Sequence, residues 1–196
     1  MKIYNWIITV VLLLSVCGCN DWLDVSPEDT VDEKELFATG EGYRNALNGV
    51  YRQMSLPSLY GQEMSWGLVD VMGQVYSATG LTVYNPYGIV VREYDYDNSV
   101  VEPLIQATWS DSYNAIANCN NIVGRITGEV PSKFRGGEEE QNMIYGEALA
   151  LRALLHFDLL RLFAPAPVTN PAGNYIPYFE NYPSIYEPDK SVTEIL

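Results

Sequence analysis

Basic residues are scarce in this chain: 11 Lys and Arg stand against 25 Asp and Glu, a formal net charge of −14. Nucleic-acid binding draws its affinity from basic side chains that release counterions from phosphates, so that class of partner is excluded. Histidine is scarcer still. His156 is the single one, and with no cysteine or second histidine near it the sequence offers no metal-binding set and implies no cofactor. Cysteine occurs three times, at positions 17, 19 and 119. That leaves no disulfide framework, and Cys119 reads as a small buried core residue. Long apolar runs are confined to the start: residues 6–16 form an apolar run of eleven residues, which spans only about half of a roughly 30 Å hydrocarbon layer. No Gly-x-Ser-x-Gly elbow, His-Glu-x-x-His pair or phosphate loop occurs, so the chain does not read as an enzyme. Two suitably spaced carboxylates, as in a glycosidase, are the one catalytic arrangement that so many acids leave open.

What is present begins with 196 residues, 47% of them hydrophobic, enough for one domain with a sizeable core. Lys2 and the apolar run after it form a secretory signal over residues 1–18, which stays outside the fold argument. Its end, Val16-Cys17-Gly18-Cys19, resembles a bacterial lipobox, in which a small residue precedes a cysteine that is lipidated and becomes the first residue of the mature chain. Cys19 is the candidate lipidation site, because Gly18 is small, and residues 19–32 would be the lipidated tether. Two or more acyl chains on one cysteine make a stable anchor where one chain binds only marginally. Asn20-Asp21-Trp22-Leu23-Asp24 resembles the acidic signal that directs some bacterial lipoproteins to the cell surface.

Beyond the tether the chain reads as helical. Residues 33–38 look like a short helical turn, and Thr39 is a plausible N-cap for a helix ending at Met54. Tyr43, Leu47, Val50 and Met54 recur on one face of it. A second helix is expected over residues 59–75, with Met64, Leu68, Val71 and Val75 along one side, against the opposition of Gly61, Gly67 and Gly73. From 76 to 98 the helical period stops, with Gly80, Pro86 and Gly88 as breakers and five tyrosines in the stretch. A loop of that length is uncommon unless it is functional. Helix resumes over residues 100–126, with Pro103 in its first turn and Trp109, Tyr113, Ile116 and Val123 on its packed face. Gly128 and Pro131 mark its end, and a short polar linker predicts an antiparallel return.

The returning helix, residues 139–163, is the segment around which the rest is organised. Its polar residues form two narrow opposed stripes, Glu147, Asp158 and Arg161 on one and Arg152 and His156 on the other. Apolar residues occupy both flanks, and a helix apolar on more than one face is sandwiched between neighbours. His156 reads as a satisfied structural residue and Asp158–Arg161 as a pair along the helix surface. Glu138, Glu139 and Glu140 read as a solvated helix start. A Pro- and Tyr-rich segment follows, and Ser191 looks like the N-cap of one further helical turn.

Several stretches together, CNDWLDVSPED, ALNGVYRQM, TWSDSYNAIANCNNIV and above all GEALALRALLHFDLLRLFAPAPV, resemble the N-terminal part of SusD/RagB-family outer-membrane lipoproteins. Glu147, Leu151, Arg152, Ala153, Phe157, Asp158, Leu159, Arg161, Leu162, Phe163 and Pro167 carry the most specific match. The resemblance implies an all-α fold of tetratricopeptide-like antiparallel helix pairs with long aromatic-rich loops, here over residues 33–196. It implies a surface-exposed lipoprotein that binds glycans and delivers them to a SusC-like TonB-dependent transporter, without catalysis. Family members are usually well over twice as long, so the chain is expected to be truncated at its C-terminal end. A glycan needs flat aromatic faces and a few polar groups, which nominates Tyr76, Tyr84, Asn85 and Tyr87 as ligand-binding residues. The segment from Tyr175 to Tyr186 ranks second. The alternative reading is a structural interaction protein that binds a membrane partner and no glycan.

Overall fold

The computed structural model describes residues 32–77, 79–81 and 85–196. The chain divides into two units, Met1–Glu35 and Leu36–Leu196. In the first, only residues 32–35 are described, where the short helix α1 (Glu33–Leu36) begins. Cys19 and the tether lie outside the described residues.

The second unit is built on three helices. Thr39 caps α2 (Gly40–Met54) as expected, its Oγ1 accepting from the Gly42 N–H. Tyr43, Leu47, Val50 and Met54 are all buried. Below α2 the chain forms two short helices, α3 (Leu68–Met72) and α4 (Pro86–Glu93). The long α5 (Glu102–Ile126) and α6 (Gly137–Phe163) follow, joined by a linker that holds one turn of 3-10 helix. Gln141 donates to the Ile126 carbonyl at 3.0 Å, Arg152 donates to Asn120 at 3.0 Å, and the Phe163 ring meets Trp109 at 4.7 Å. Partners that climb one helix while descending the other make α5 and α6 antiparallel. Helix α2 runs alongside α6, with Arg44 on Glu140 and Tyr51 on Glu147, and opposite to α5, with Tyr43 on Glu129 and Gln53 on Asn118. This is the antiparallel helix-pair architecture that the sequence led us to expect.

Helix α6 supplies Ile144, Ala148, Leu151, Leu155, Leu159 and Leu160 to the main core, against Leu47 and Val50 of α2 and Ile116, Cys119 and Ile122 of α5. Cys119 is fully buried, and burial pushes its thiol up to about 12. The Pro- and Tyr-rich segment is not loop throughout. It forms a two-stranded antiparallel sheet, β1 (Asn174–Pro177) and β2 (Asp189–Ser191), which puts Ile176 into the core. The segment is fastened to the helix pair by Tyr113 donating to the Pro177 carbonyl at 2.9 Å and Asn120 donating to the Phe179 carbonyl at 2.9 Å. Ser191 and Glu194 form a full capping box on α7 (Val192–Ile195).

Three expectations need correction. Residues 59–75 are not one helix. The Gly61, Met64 and Gly67 N–H groups reach carbonyls five residues back, at Leu56, Leu59 and Gln62, which is wider than the α-helical repeat. This winding brings backbone together: a Cβ on Gly61 would lie 2.3 Å from the Ser55 carbonyl oxygen. Met64, Leu68 and Val71 are buried, but Val75 is 66% exposed. Conversely, the stretch expected to lack helix contains α4. Pro86, taken as a breaker, stands in its first turn behind the Asn85 cap, where proline's missing N–H is harmless. The acidic start of α6 also differs in one residue: Glu140 is not merely solvated, since it accepts from the Gly136 N–H at 2.7 Å and pairs with Arg44 at 3.0 Å.

Candidate functional site

Helices α3 and α4 and the first turn of α5 close a second, smaller core of Leu68, Val71, Ile89, Val90, Val91 and Val101. What locks it is Glu63, a carboxyl side chain in a residue only 4% exposed. One oxygen accepts from the Tyr87 hydroxyl at 2.7 Å and the other from the Leu68 N–H, at 3.0 Å. Glu63 therefore satisfies an unpaired donor at the start of α3 while holding the first turn of α4. Gln62 donates to the Tyr87 oxygen from the other side. Burial and then the Glu63 hydrogen bond push the Tyr87 phenol up to about 12. Gly67 makes the tie possible, because a Cβ there would stand 2.9 Å from the Glu63 carboxyl oxygen and 2.9 Å from the Gln62 carbonyl oxygen.

Over this floor lies an open groove of about 590 Å³, lined by Trp66, Gly67, Val71, Tyr76, Ser77, Thr79, Gly80, Leu81 and Tyr87. The volume falls within the roughly 300–1,000 Å³ of small-molecule clefts. Trp66 is 55% exposed and Tyr76 41%. The Tyr76 hydroxyl donates to the Trp66 backbone carbonyl at 2.9 Å, which fixes the Tyr76 side chain near Trp66 at the same groove. Ser77 donates to the Thr79 hydroxyl oxygen at 3.1 Å, which leaves the Thr79 hydroxyl hydrogen for a ligand. Aromatic surface with a few hydroxyls is what stacking on an apolar ring face requires.

The structure brings two of the nominated residues, Tyr76 and Tyr87, into this groove. Asn85 does different work: its side chain accepts from the Tyr87 N–H at 2.9 Å and starts α4, and it is not among the lining residues. Tyr84 lies outside the described residues. Trp66 and Glu63 were not singled out from the sequence. Trp66 sat in a segment read as helix, and nothing marks one buried acid among 25. The second-ranked aromatic segment packs Tyr178 on the His156 ring, centroids 4.2 Å apart, and leaves Ile185 and Tyr186 exposed.

His156 is structural. Its Nε2 accepts from the Phe179 N–H at 3.2 Å, which makes Nδ1 the protonated nitrogen, donating to the Arg152 carbonyl at 3.0 Å. Burial holds its pKa down at about 4. Asp158, on the opposed polar stripe of α6, is also buried and accepts from Tyr60 at 2.6 Å and from Arg161 at 2.9 Å. A separate apolar cavity of about 270 Å³ lies among Leu68, Met72, Tyr96, Ile105, Thr108, Leu162 and Phe163. The Thr108 hydroxyl is already engaged by the Ser58 and Leu104 carbonyls. Among the described residues no cluster of His, Cys, Asp and Glu could hold a metal, and no helix is long and apolar enough to cross a membrane.

A SusD-like family model described as "Starch-binding associating with outer membrane" matches residues 21–188. This chain belongs to the SusD-like family. Two SusD-like relatives from Formosa agariphila, SusD-like protein P25 and SusD-like protein P2, are each 26% identical to it, over 185 and 170 residues. Each match covers 85% of this chain and 31% of the relative. Among solved structures, a SusD-like carbohydrate binding protein from Bacteroides vulgatus superposes with a TM-score of 0.57 at 22% identity, over 81% of this chain and 33% of that one. A SusD homolog from Bacteroides thetaiotaomicron gives 0.56 at 21%, over 86% and 30%. These structures share the SusD-like fold. The chain spans about a third of the length of the relatives it matches.

Proposed function

We propose that this chain is part of a surface-exposed, lipid-anchored outer-membrane protein that binds oligosaccharides and passes them to a SusC-like TonB-dependent transporter. The observation that carries the reading is the groove. In a family described by starch binding, it presents the exposed Trp66 and Tyr76 rings beside free hydroxyl capacity at Thr79. The reading is of binding without cleavage, in line with the family description. Tyr87 contributes its ring to the wall, while its hydroxyl is spent on the floor.

Glycan titration of the chain against Trp66→Ala and Tyr76→Ala tests this. Each should weaken binding by about 1–3 kcal/mol, roughly 5- to 150-fold, through loss of aromatic surface buried on the sugar. Unchanged affinity in both variants would remove the groove from the site. Anchoring has its own readout: Cys19→Ala should abolish labelling by a fatty-acid probe and release the protein from membranes. Normal labelling of that variant would refute the lipidation reading.

The interaction reading has one observation in its favour. Met143, Leu154 and Phe157 on α6 remain exposed, an apolar face available to another protein surface. Copurification of a transporter with no binding across a glycan panel would favour it.

A further inference from the structure

We propose that the groove discriminates by charge: it takes uncharged oligosaccharides and rejects those that carry uronate or sulfate groups. The inference rests on the glycan-binding reading above and adds the ligand's charge class. It begins with the floor. Both Glu63 side-chain oxygens act as acceptors, from the Tyr87 hydroxyl and the Leu68 N–H, which is the hydrogen-bonding pattern of the ionised form. Both of those hydrogen-bond partners are neutral, and no salt bridge joins Glu63 to a cation among the described residues. Two lining residues, Gly67 and Tyr87, lie directly against it. A partly desolvated carboxylate at that depth repels an incoming anion more strongly than one in bulk water would.

The wall offers nothing to offset this. Trp66, Tyr76, Ser77, Thr79 and Leu81 are uncharged, and the sixteen residues from position 76 to 91 contain no charged side chain at all. A bound carboxylate or sulfate calls for charge-assisted donors, above all arginine. The first cation after that stretch, Arg92, donates to the Leu81 and Gly88 carbonyls and so braces the loop itself. At longer range the net charge of −14 slows the approach of any polyanion. Neutral sugars meet none of these penalties. Their hydroxyls can accept from Thr79, and their apolar ring faces can lie on Trp66 and Tyr76.

The test uses α- and β-linked gluco- and galacto-hexasaccharides, each paired with its C6-oxidised uronate counterpart, titrated into the whole chain at low and high salt. At least one neutral member should bind at least tenfold more tightly than its uronate partner, with the gap narrowing as salt screens the repulsion. Thr79→Arg, at an exposed position on the groove, exchanges a hydroxyl donor for a cation, so it should weaken the neutral arm while raising uronate affinity at least fivefold. A uronate that binds the unaltered chain as tightly as its neutral partner, with affinity that falls in Trp66→Ala, would overturn the charge selection and leave the groove assignment standing. An unmoved uronate affinity in Thr79→Arg would equally count against it. Binding that ignores Trp66→Ala, or no binding by any member, would overturn the groove reading and the inference with it.

Discussion

Truncating Leu155 to alanine should lower the unfolding free energy by about 3–5 kcal/mol, while the same change at Leu154 should cost less than about 1 kcal/mol. The two residues are neighbours on α6 with the same chemistry. Leu155 is 0% exposed, in the core shared with α2 and α5, and Leu154, about 100° round the helix, is 43% exposed. A buried Leu→Ala change loses both the transfer free energy of the removed methyl groups and the packing around the cavity it leaves. Helix α6 cannot slide to fill that cavity, because Arg44–Glu140, Arg152–Asn120 and Tyr60–Asp158 pin it along its length. Chemical denaturation of the two variants measures the contrast. Equal losses would mean that α6 does not present one face to this core.

The second large effect is acid sensitivity from His156. Its folded-state pKa is held down at about 4 by burial, against an ordinary value of 6.5. Between those two values the unfolded chain binds a proton that the folded chain refuses, so stability falls as pH drops from about 6.5 to about 4 and this contribution levels off below. The separation is worth about 3 kcal/mol across that window. Glu129 and Glu140 also have lowered pKa values, through hydrogen bonds from Lys133 and Gly136 respectively. They add acid sensitivity of the same sign at lower pH, and a difference against His156→Gln removes them. Because His156 is the single histidine, one imidazole C–H resonance reports it directly in a tag-free chain. It should keep its neutral-form shift down to about pH 5, and a midpoint near 6.5 would contradict the buried placement.

Much of this architecture can be read from residue spacing. The apolar residues of α2 and its Thr39 cap, and the long α5–α6 hairpin with its Gly128 and Pro131 stop, all follow from periodicity and capping chemistry. Helix α6 carried a double-sided apolar pattern, of which one side is buried in the core while Met143, Leu154 and Phe157 stay exposed, so the expected sandwich is only half met among the described residues. Residues 59–75 misled because apolar side chains spaced by three and four also suit wider turns, and only the backbone crowding at Gly61 and Gly67 distinguishes the two. Helix α4 was missed because Pro86 and Gly88 outweighed the Asn85-Pro86 start signal that precedes them. At the site, composition nominated Tyr76 and Tyr87 from an aromatic-rich stretch. The groove also needs Trp66 and the Glu63 tie, which come from the preceding segment and meet the tyrosines only through tertiary contacts. Asn85 has the right chemistry for a sugar contact, but helix initiation occupies its side-chain oxygen.

The most direct test of the groove is to follow the Trp66 indole N–H in the isotope-labelled chain while a bound oligosaccharide is titrated in. Trp109 serves as the internal control, since its ring packs edge-on against Phe163 at 4.7 Å, away from the groove. The predicted result is a saturable shift of the Trp66 signal with the Trp109 signal unmoved, lost in Tyr76→Ala at the same ligand concentration. Saturable binding that leaves Trp66 unmoved would contradict the assignment of glycan recognition to this groove.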